Sequence, residues 1–384
     1  MQRSNPITSN TTLAPHCLDG ALVVELAEGW CAAAVAGRLL SELGARVIKI
    51  EPPEGDRLRR QPPNAADGTS PTFQTLNPNK ESVTIATNSP VLHALIGEAD
   101  ILLTDQTTLE DRCIDLPNKF VTSSWPELIV CHFSPFGRCG TLAGRPGGEL
   151  IAQAMGGIVA TTGHPGETPH RAGPPLASHN AALLGGTAIL AALHDHAKSG
   201  QGAIIDLSLY DASVSLLYTF LPAYFLSGEI PGPMGNQHMM VAPWDNFPTK
   251  DGWMIICVAN DRQCHDLFCL MGHDALVEDP RCALNEARVT PEGRTFLYEI
   301  IVAFLADRTT EEAIELLREH NVPAGPIYDM PTLMQNAQFQ ARDMVKMFDD
   351  VPTPGSIFKM SETPGRVYGG APRLGQREVL ELLP

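Results

Sequence analysis

The stretch "ALVVELAEGWCAAAVAGRLLSELGARVIKIE", residues 21–51, decides the fold. "ALVVEL" (Ala21–Leu26) is a short apolar run of buried-strand type. "CAAAVAGRLLSELGA" follows, with Val35, Leu39, Leu40 and Leu43 at helical spacing and Gly44 as the stop. "RVIKIE" is a second strand, closed by the breaker "PPEGD". Strand, helix and strand within about thirty residues form a βαβ unit, which predicts a parallel sheet with right-handed crossovers. "SVTIAT", "SPVLHALIGEA", "DILLTD" and "LIVCHFS" continue the alternation. "GELIAQAMGGIVATTG" and the segment after Asn180 read as helices, "QGAIIDLSL" as a strand, and a long apolar helix is expected from near Asp211.

Pro, Gly and Asn cluster in "SGEIPGPMGNQHMMVAPWDNFPTKDG", which marks a domain boundary. The reading is a large domain over 15–225 with 332–384, a linker over 226–239 and a small domain over 240–331. In the small domain "WMIICVAN" is a strand. "DRQCHDLFCLMG", "GRTFLYEIIVAFLADRT" and "TEEAIELLREHNV" are helices.

A chain of 384 residues with 43% apolar and 18% charged residues has an ordinary globular balance. The formal charge of -17 excludes a nucleic-acid protein with a basic face, and any anionic ligand must be held by local Lys and Arg. Nine cysteines without a C-x-x-C pair fit reduced thiols. "MQRSNPITSNTTLAPH" lacks an apolar export region, and the apolar run Ala181–His194 is too short and Gly-rich to span a bilayer. These features predict a soluble, cytoplasmic protein without membrane or nucleic-acid partners.

The βαβ start invites a dinucleotide reading, but "AEGWCA" stands where G-x-G-x-x-G would. No P-loop and no G-x-S-x-G elbow occurs. His194-Asp195-His196 places two histidines on different sides of a helix, which reads as a solvated helix end rather than a metal triplet. Cys264-His265 reads as a packed thiol beside a surface His. No metal site is expected.

Four ordered blocks carry a specific signal: "LLSELGARVIKIEPPEGDRLR" (Leu39–Arg59), "GRPGGELIAQAMGGIVATTG" (Gly144–Gly163), "GGTAILAALHDHAKSGQGAIIDLSLYDA" (Gly185–Ala212) and "FPTKDGWMIICVANDRQ" (Phe247–Gln263). "DPRCALNEARV" with "NVPAGPIYDM" supports them. The set closely resembles the class III CoA-transferases, the CaiB/BaiF family, over nearly the whole chain from about Leu18. The resemblance implies an α/β fold: a large Rossmann-like domain with a parallel sheet but no nucleotide fingerprint, a smaller α/β domain, and two chains interlocked as rings. It also implies acyl-CoA and an organic acid as substrates, with CoA as co-substrate and no covalently bound cofactor.

Three departures from the family pattern stand out. Family transferases carry a nucleophilic aspartate before the "ILAAL" helix; counting back from Ile189–Leu193, Ser178 takes its place. That carboxylate attacks an acyl-CoA to give a mixed anhydride and then an enzyme–CoA thioester, each about as activated as the substrate. A serine hydroxyl needs an adjacent base, and an acyl-serine is an ordinary ester from which CoA is not readily regained. Ser178 fits a helix N-cap, and its neighbour His179 diverges from it by about 100° along a helix. The racemases resemble this chain at "GRPGGELIAQA" but have a His before the acid, where Gly148 stands here, so racemisation is disfavoured. Glu149 is the carboxylate that remains, for capping or catalysis. Family members also show E-N-F-x-P-G after "ADILV", whereas "ADILLTDQTTLEDR" puts Asp105 and Gln106 at the adenosine-holding places.

The expected CoA contacts are Glu51 with Ile50, then Leu76, Asn79 and Lys80, and Arg138. Arg57, Arg59, Arg60 and Lys80 are the phosphate partners by charge. Catalytic candidates are Ser178, Glu149 and His179. The functional expectation is a family protein with altered chemistry of hydrolase, lyase or non-standard transferase type, as a homodimer. The alternatives are a non-catalytic subunit paired with an Asp-bearing homologue, or a repurposed binding protein for an acidic metabolite.

Overall fold

Six parallel strands run through the first part of the chain: β1 (Leu22–Leu26), β2 (Arg46–Glu51), β3 (Glu81–Thr84), β4 (Ile101–Asp105), β5 (Ile129–Ser134) and β6 (Ala203–Ser208). They lie in the order β3-β2-β1-β4-β5-β6. The structure is a computed structural model and describes residues 16–65, 68–85, 89–105, 108–109 and 118–378. Successive helices are α1 (Cys31–Glu42), α2 (Pro71–Leu76), α3 (Pro90–Gly97), α4 (Asn118–Ser124), α5 (Glu149–Met155), α6 (Leu176–Ser199), α7 (Leu209–Ser215) and α8 (Phe220–Ser227).

The sheet is apolar on both faces because helices cover both. Val23, Ile101, Leu103, Cys131 and Phe133 pack with the alanines of α1 and α6. Val24, Leu26, Ile48, Leu102 and Val130 pack with Leu92, Leu95 and Ile96 of α3. Small residues let α6 settle onto β5: a Cβ at Gly185 would lie 2.9 Å from the Phe133 ring.

Three elements differ from the sequence reading. The helix expected over 148–163 stops at Met155, because Gly156 is followed by Gly157 at φ +87°. The helix expected from Asp211 is two short ones, α7 and α8. The segment after Asn180 starts its helix earlier, at Leu176, and Ser178 is therefore inside the first turn rather than its cap. Helix α6 has 24 residues, and an 18-residue window of it has a mean hydropathy of 1.4, long and apolar enough to cross a membrane by length and composition alone.

The chain divides into two compact units, one taking residues through 159, 171–227 and from 340 onward, the other taking 160–170 and 228–339. Residues 160–170 thus fall outside the unit that the sequence assigns them to; Gly235 N–H donates to Gly163 O at 2.7 Å within the second unit. That unit holds an antiparallel sheet, β7 (Trp244–Pro248), β8 (Trp253–Cys257) and β9 (Ala324–Pro326), with α9 (Asp261–Leu270), α10 (Asn285–Arg288), α11 (Pro291–Leu305) and α12 (Thr310–Glu319). Its core gathers Phe247, Ile256, Phe268, Ile301 and Leu317. Arg288 is buried there, donating to the carbonyls of Ala242, Cys282 and Ala283 and pairing with Asp261.

Candidate active site

The strand order reverses between β1 and β4, and in open parallel sheets a ligand sits beyond the strand ends at such a point. The turn from β1 into α1 lies there, and its amides are occupied by acids. Glu28 N–H donates to Asp105 Oδ2 at 3.2 Å and to Thr108 Oγ1 at 2.7 Å; Gly29 N–H donates to Asp56 Oδ1 at 2.8 Å. Burial pushes the Asp105 carboxyl up to about 6 against the pull of these donors. Carboxylates thus take the amides that a phosphate would use in a dinucleotide fold, the structural counterpart of the missing glycine fingerprint.

Beneath this turn lies a buried set of four charges. Lys49 Nζ reaches Glu25 Oε1 at 2.8 Å, Asp56 Oδ2 at 2.7 Å and Ala27 O at 3.0 Å. Lys80 Nζ reaches Glu25 Oε2 at 2.6 Å, and Ala34 O and Asn77 Oδ1 at 2.9 Å. Burial pulls the Lys80 ammonium down to about 8 against the attraction of Glu25. Burial opposes charge on Lys49 and Asp56 more than any single partner favours it, but their mutual attraction, the charge of Glu25 on the lysine and the hydrogen bonds to both together outweigh it, raising the lysine and lowering the acid. A Cβ at Gly37 would lie 2.2 Å from Glu25 Oε2, so α1 needs glycine where it crosses these ions.

Several expected CoA contacts prove to be internal ties. Lys80 is satisfied as described. Glu51 accepts from Ser82 Oγ and Arg59 Nη2 at 2.6 Å through Oε1, and from Arg59 Nε at 2.6 Å and Asp56 N–H at 2.9 Å through Oε2. The Arg59 guanidinium also stacks 3.8 Å from the Phe73 ring centre. Leu76 lies in the core beside α1, and Asn79 holds the chain at Arg366, Tyr368 and Gly369. Lys80, Arg59 and Asp105 thus each have partners within the protein. Arg57, Arg60 and Arg138 face solvent. Gln106 lies outside the described residues.

Ser178 and Glu149 do come together. Glu149 Oε2 accepts from Ser178 N–H at 2.8 Å and from Ser178 Oγ–H at 2.6 Å; Oε1 accepts from Ala177 N–H at 3.0 Å and Gln153 Nε2 at 2.7 Å. The N-cap of α6 is Pro175, which offers no side-chain acceptor. Glu149 therefore caps α6 from another helix, satisfying orphan amides and meeting the positive end of the helix dipole. His179 Nδ1 lies 3.0 Å from Pro175 O. Asn180 ties α6 to α7 through Ala212 O at 2.7 Å. Cys31, the first residue of α1, lies among the same acids: burial first, then the charges of Glu149 and Asp56, raise its thiol. The N-cap residue of α1, Trp30, supplies no side-chain cap. Among the described residues no three His, Cys, Asp or Glu side chains converge as a metal site would need.

Sequence reasoning missed Glu25, Lys49, Asp56 and Gln153. A signal for two of them was present: a charge inside the apolar runs "ALVVEL" and "RVIKIE" of a doubly covered sheet demands a buried partner.

This chain belongs to CoA-transferase family III, which it matches over residues 18–378. It is 33% identical over 376 residues to the succinyl-CoA–D-citramalate CoA-transferase of Chloroflexus aurantiacus, covering 94% of this chain and 92% of that one. The succinyl-CoA–L-malate CoA-transferase alpha subunit of the same organism is 30% identical over 386 aligned residues, covering 95% and 89%. A CaiB/BaiF family protein from Brucella suis superposes with a TM-score of 0.83 at 31% identity, covering 94% of this chain and 97% of that one.

Proposed function

We propose that this protein binds an acyl-CoA and an organic acid as the non-catalytic chain of a CoA-transferase assembly, alongside an Asp-bearing homologue. One observation carries the reading: the hydroxyl of Ser178 is spent on Glu149, whose two oxygens already answer four donors as a helix cap. Neither group is left as a nucleophile. Removing a proton from Ser178 would require an adjacent free base, and both oxygens of Glu149 are already engaged by other donors. On this reading neither Ser178 nor Glu149 serves as a carboxylate shuttle. Support for a paired assembly comes from apolar side chains in solvent: Leu150 is 55% exposed, Phe225 79% and Leu226 89%. One relative is itself named as a subunit. The cations that face solvent near the strand ends, Arg57, Arg60 and Arg138, are the proposed phosphate partners of CoA.

A second reading, a homodimeric enzyme with altered chemistry, draws on the start of α1, where the N-cap residue Trp30 supplies no side-chain acceptor. The amides of such a helix start would suit a thioester carbonyl, as helix N-termini do for developing negative charge. Mass spectrometry separates the two. Purified protein is incubated with succinyl-CoA and treated with hydroxylamine. No acyl or CoA adduct is expected on wild type alone; an adduct on Ser178 or Glu149 would overturn the proposal in favour of the enzyme.

A further inference from the structure

The second unit contains a cavity of about 800 Å³, within the range of small-molecule sites. Its one guanidinium is held rigidly. Arg294 Nε donates to Val289 O at 2.9 Å and Nη2 to His238 O at 2.8 Å, which fixes the fork. Neither acceptor is charged. Asp245 also lines the cavity, with one of its carboxylate oxygens accepting from Asn246 N–H at 2.8 Å. Burial lowers the pKa of Arg294 despite the charge of Asp245, so the cation is undercompensated where it stands. An added anion would relieve that cost, because charge-assisted bonds to a fixed guanidinium lose little side-chain entropy.

The rest of the lining suits a short acid. Asn236 and Asn246 offer amide donors, and Tyr298, stacked on Phe247 at 5.2 Å, offers a hydroxyl. Trp253 and Ile327 supply an apolar wall, joined where Ile327 N–H donates to Trp253 O at 3.1 Å. From this geometry we infer that the second unit binds a free small carboxylic acid, its carboxylate on Arg294 and its chain against Trp253 and Ile327. The inference does not depend on the role proposed for Ser178 and Glu149.

The test is calorimetry of the full-length chain with succinate, alongside sodium chloride at equal ionic strength and free CoA. Saturable succinate binding is expected that chloride does not reproduce, weakened about tenfold or more by Arg294→Gln. Should Arg294→Gln fail to fold, Thr295→Glu carries the test. Thr295 lines the cavity at an exposed position of α11, and a glutamate there would repel the acid. Absence of saturable binding, or Thr295→Glu binding succinate as wild type does, would overturn the inference. CoA binding is read in the same instrument, so failure of the acyl-CoA reading leaves this result interpretable.

Discussion

At residue 178 a serine hydroxyl stands beside the Glu149 carboxylate. An aspartate at 178 would stand beside Glu149, and two carboxylates in contact cannot both ionise freely. Ser178→Asp is expected to create exchangeable acyl transfer, read as a hydroxylamine-sensitive adduct, if the new carboxyl turns away from Glu149. Glu149→Gln should lower stability by about 1–3 kcal/mol in denaturant unfolding, because an amide oxygen cannot satisfy four donors and two would go unpaired. Two buried groups elsewhere set opposing pH trends. Burial raises Asp105 to about 6, so in the folded state it keeps a proton that the unfolded chain releases near pH 3.8; its contribution is present at low pH and lost as pH rises through 6. Burial lowers His132 to about 4 from 6.5, so its contribution is present above 6.5 and lost as pH falls through 4. Each is worth up to ~3 kcal/mol across its window. Relative to wild type, Asp105→Asn should gain melting temperature from pH 4 to pH 8, and His132→Gln should gain it from pH 7 to pH 4. Parallel curves for wild type and both variants would contradict these assignments.

Elements were legible where a pattern had one physical reading. The βαβ start, the strand at Leu128–Ser134 and the amphipathic helix of "TEEAIELLREHNV" follow from periodicity that tertiary contacts only reinforce. Element ends were not. Gly157 at φ +87° cuts α5 short, and nothing in apolar spacing distinguishes that glycine from those tolerated inside α6. The start of α6 was misplaced because its cap comes from Glu149, 29 residues earlier in the chain, and no local motif records a cap supplied from a distance. Helix α1 shows the same limit. Its Gly37 reads as a weak point in a helix, yet the crossing over Glu25 and Lys80 requires it. Gly37→Ala should therefore destabilise, by about 1–3 kcal/mol, despite the better helix propensity of alanine. Unfolding at equal or higher denaturant concentration would show that the ion pair yields.

For the whole molecule, family membership and topology agree, and the sequence blocks that suggested the family span both units. The site was only partly legible: Ser178 and Glu149 were singled out, but their direct contact is a property of folding α5 against α6. The charge of -17 keeps copies apart in solution, while apolar residues on α5, α6 and α8 favour association. Light scattering should give a mass above that of one chain, and Phe225→Asp should lower it. A wild-type monomer that binds no homologue would contradict the proposed assembly.

The most direct measurement is isotope exchange between labelled succinate and succinyl-CoA. Wild-type chain alone should catalyse none, Ser178→Asp should restore some, and co-expression with an Asp-bearing homologue should restore more. Exchange by the unpaired wild-type chain would mean that a carboxylate of this protein, Glu149 foremost, still carries the acyl group.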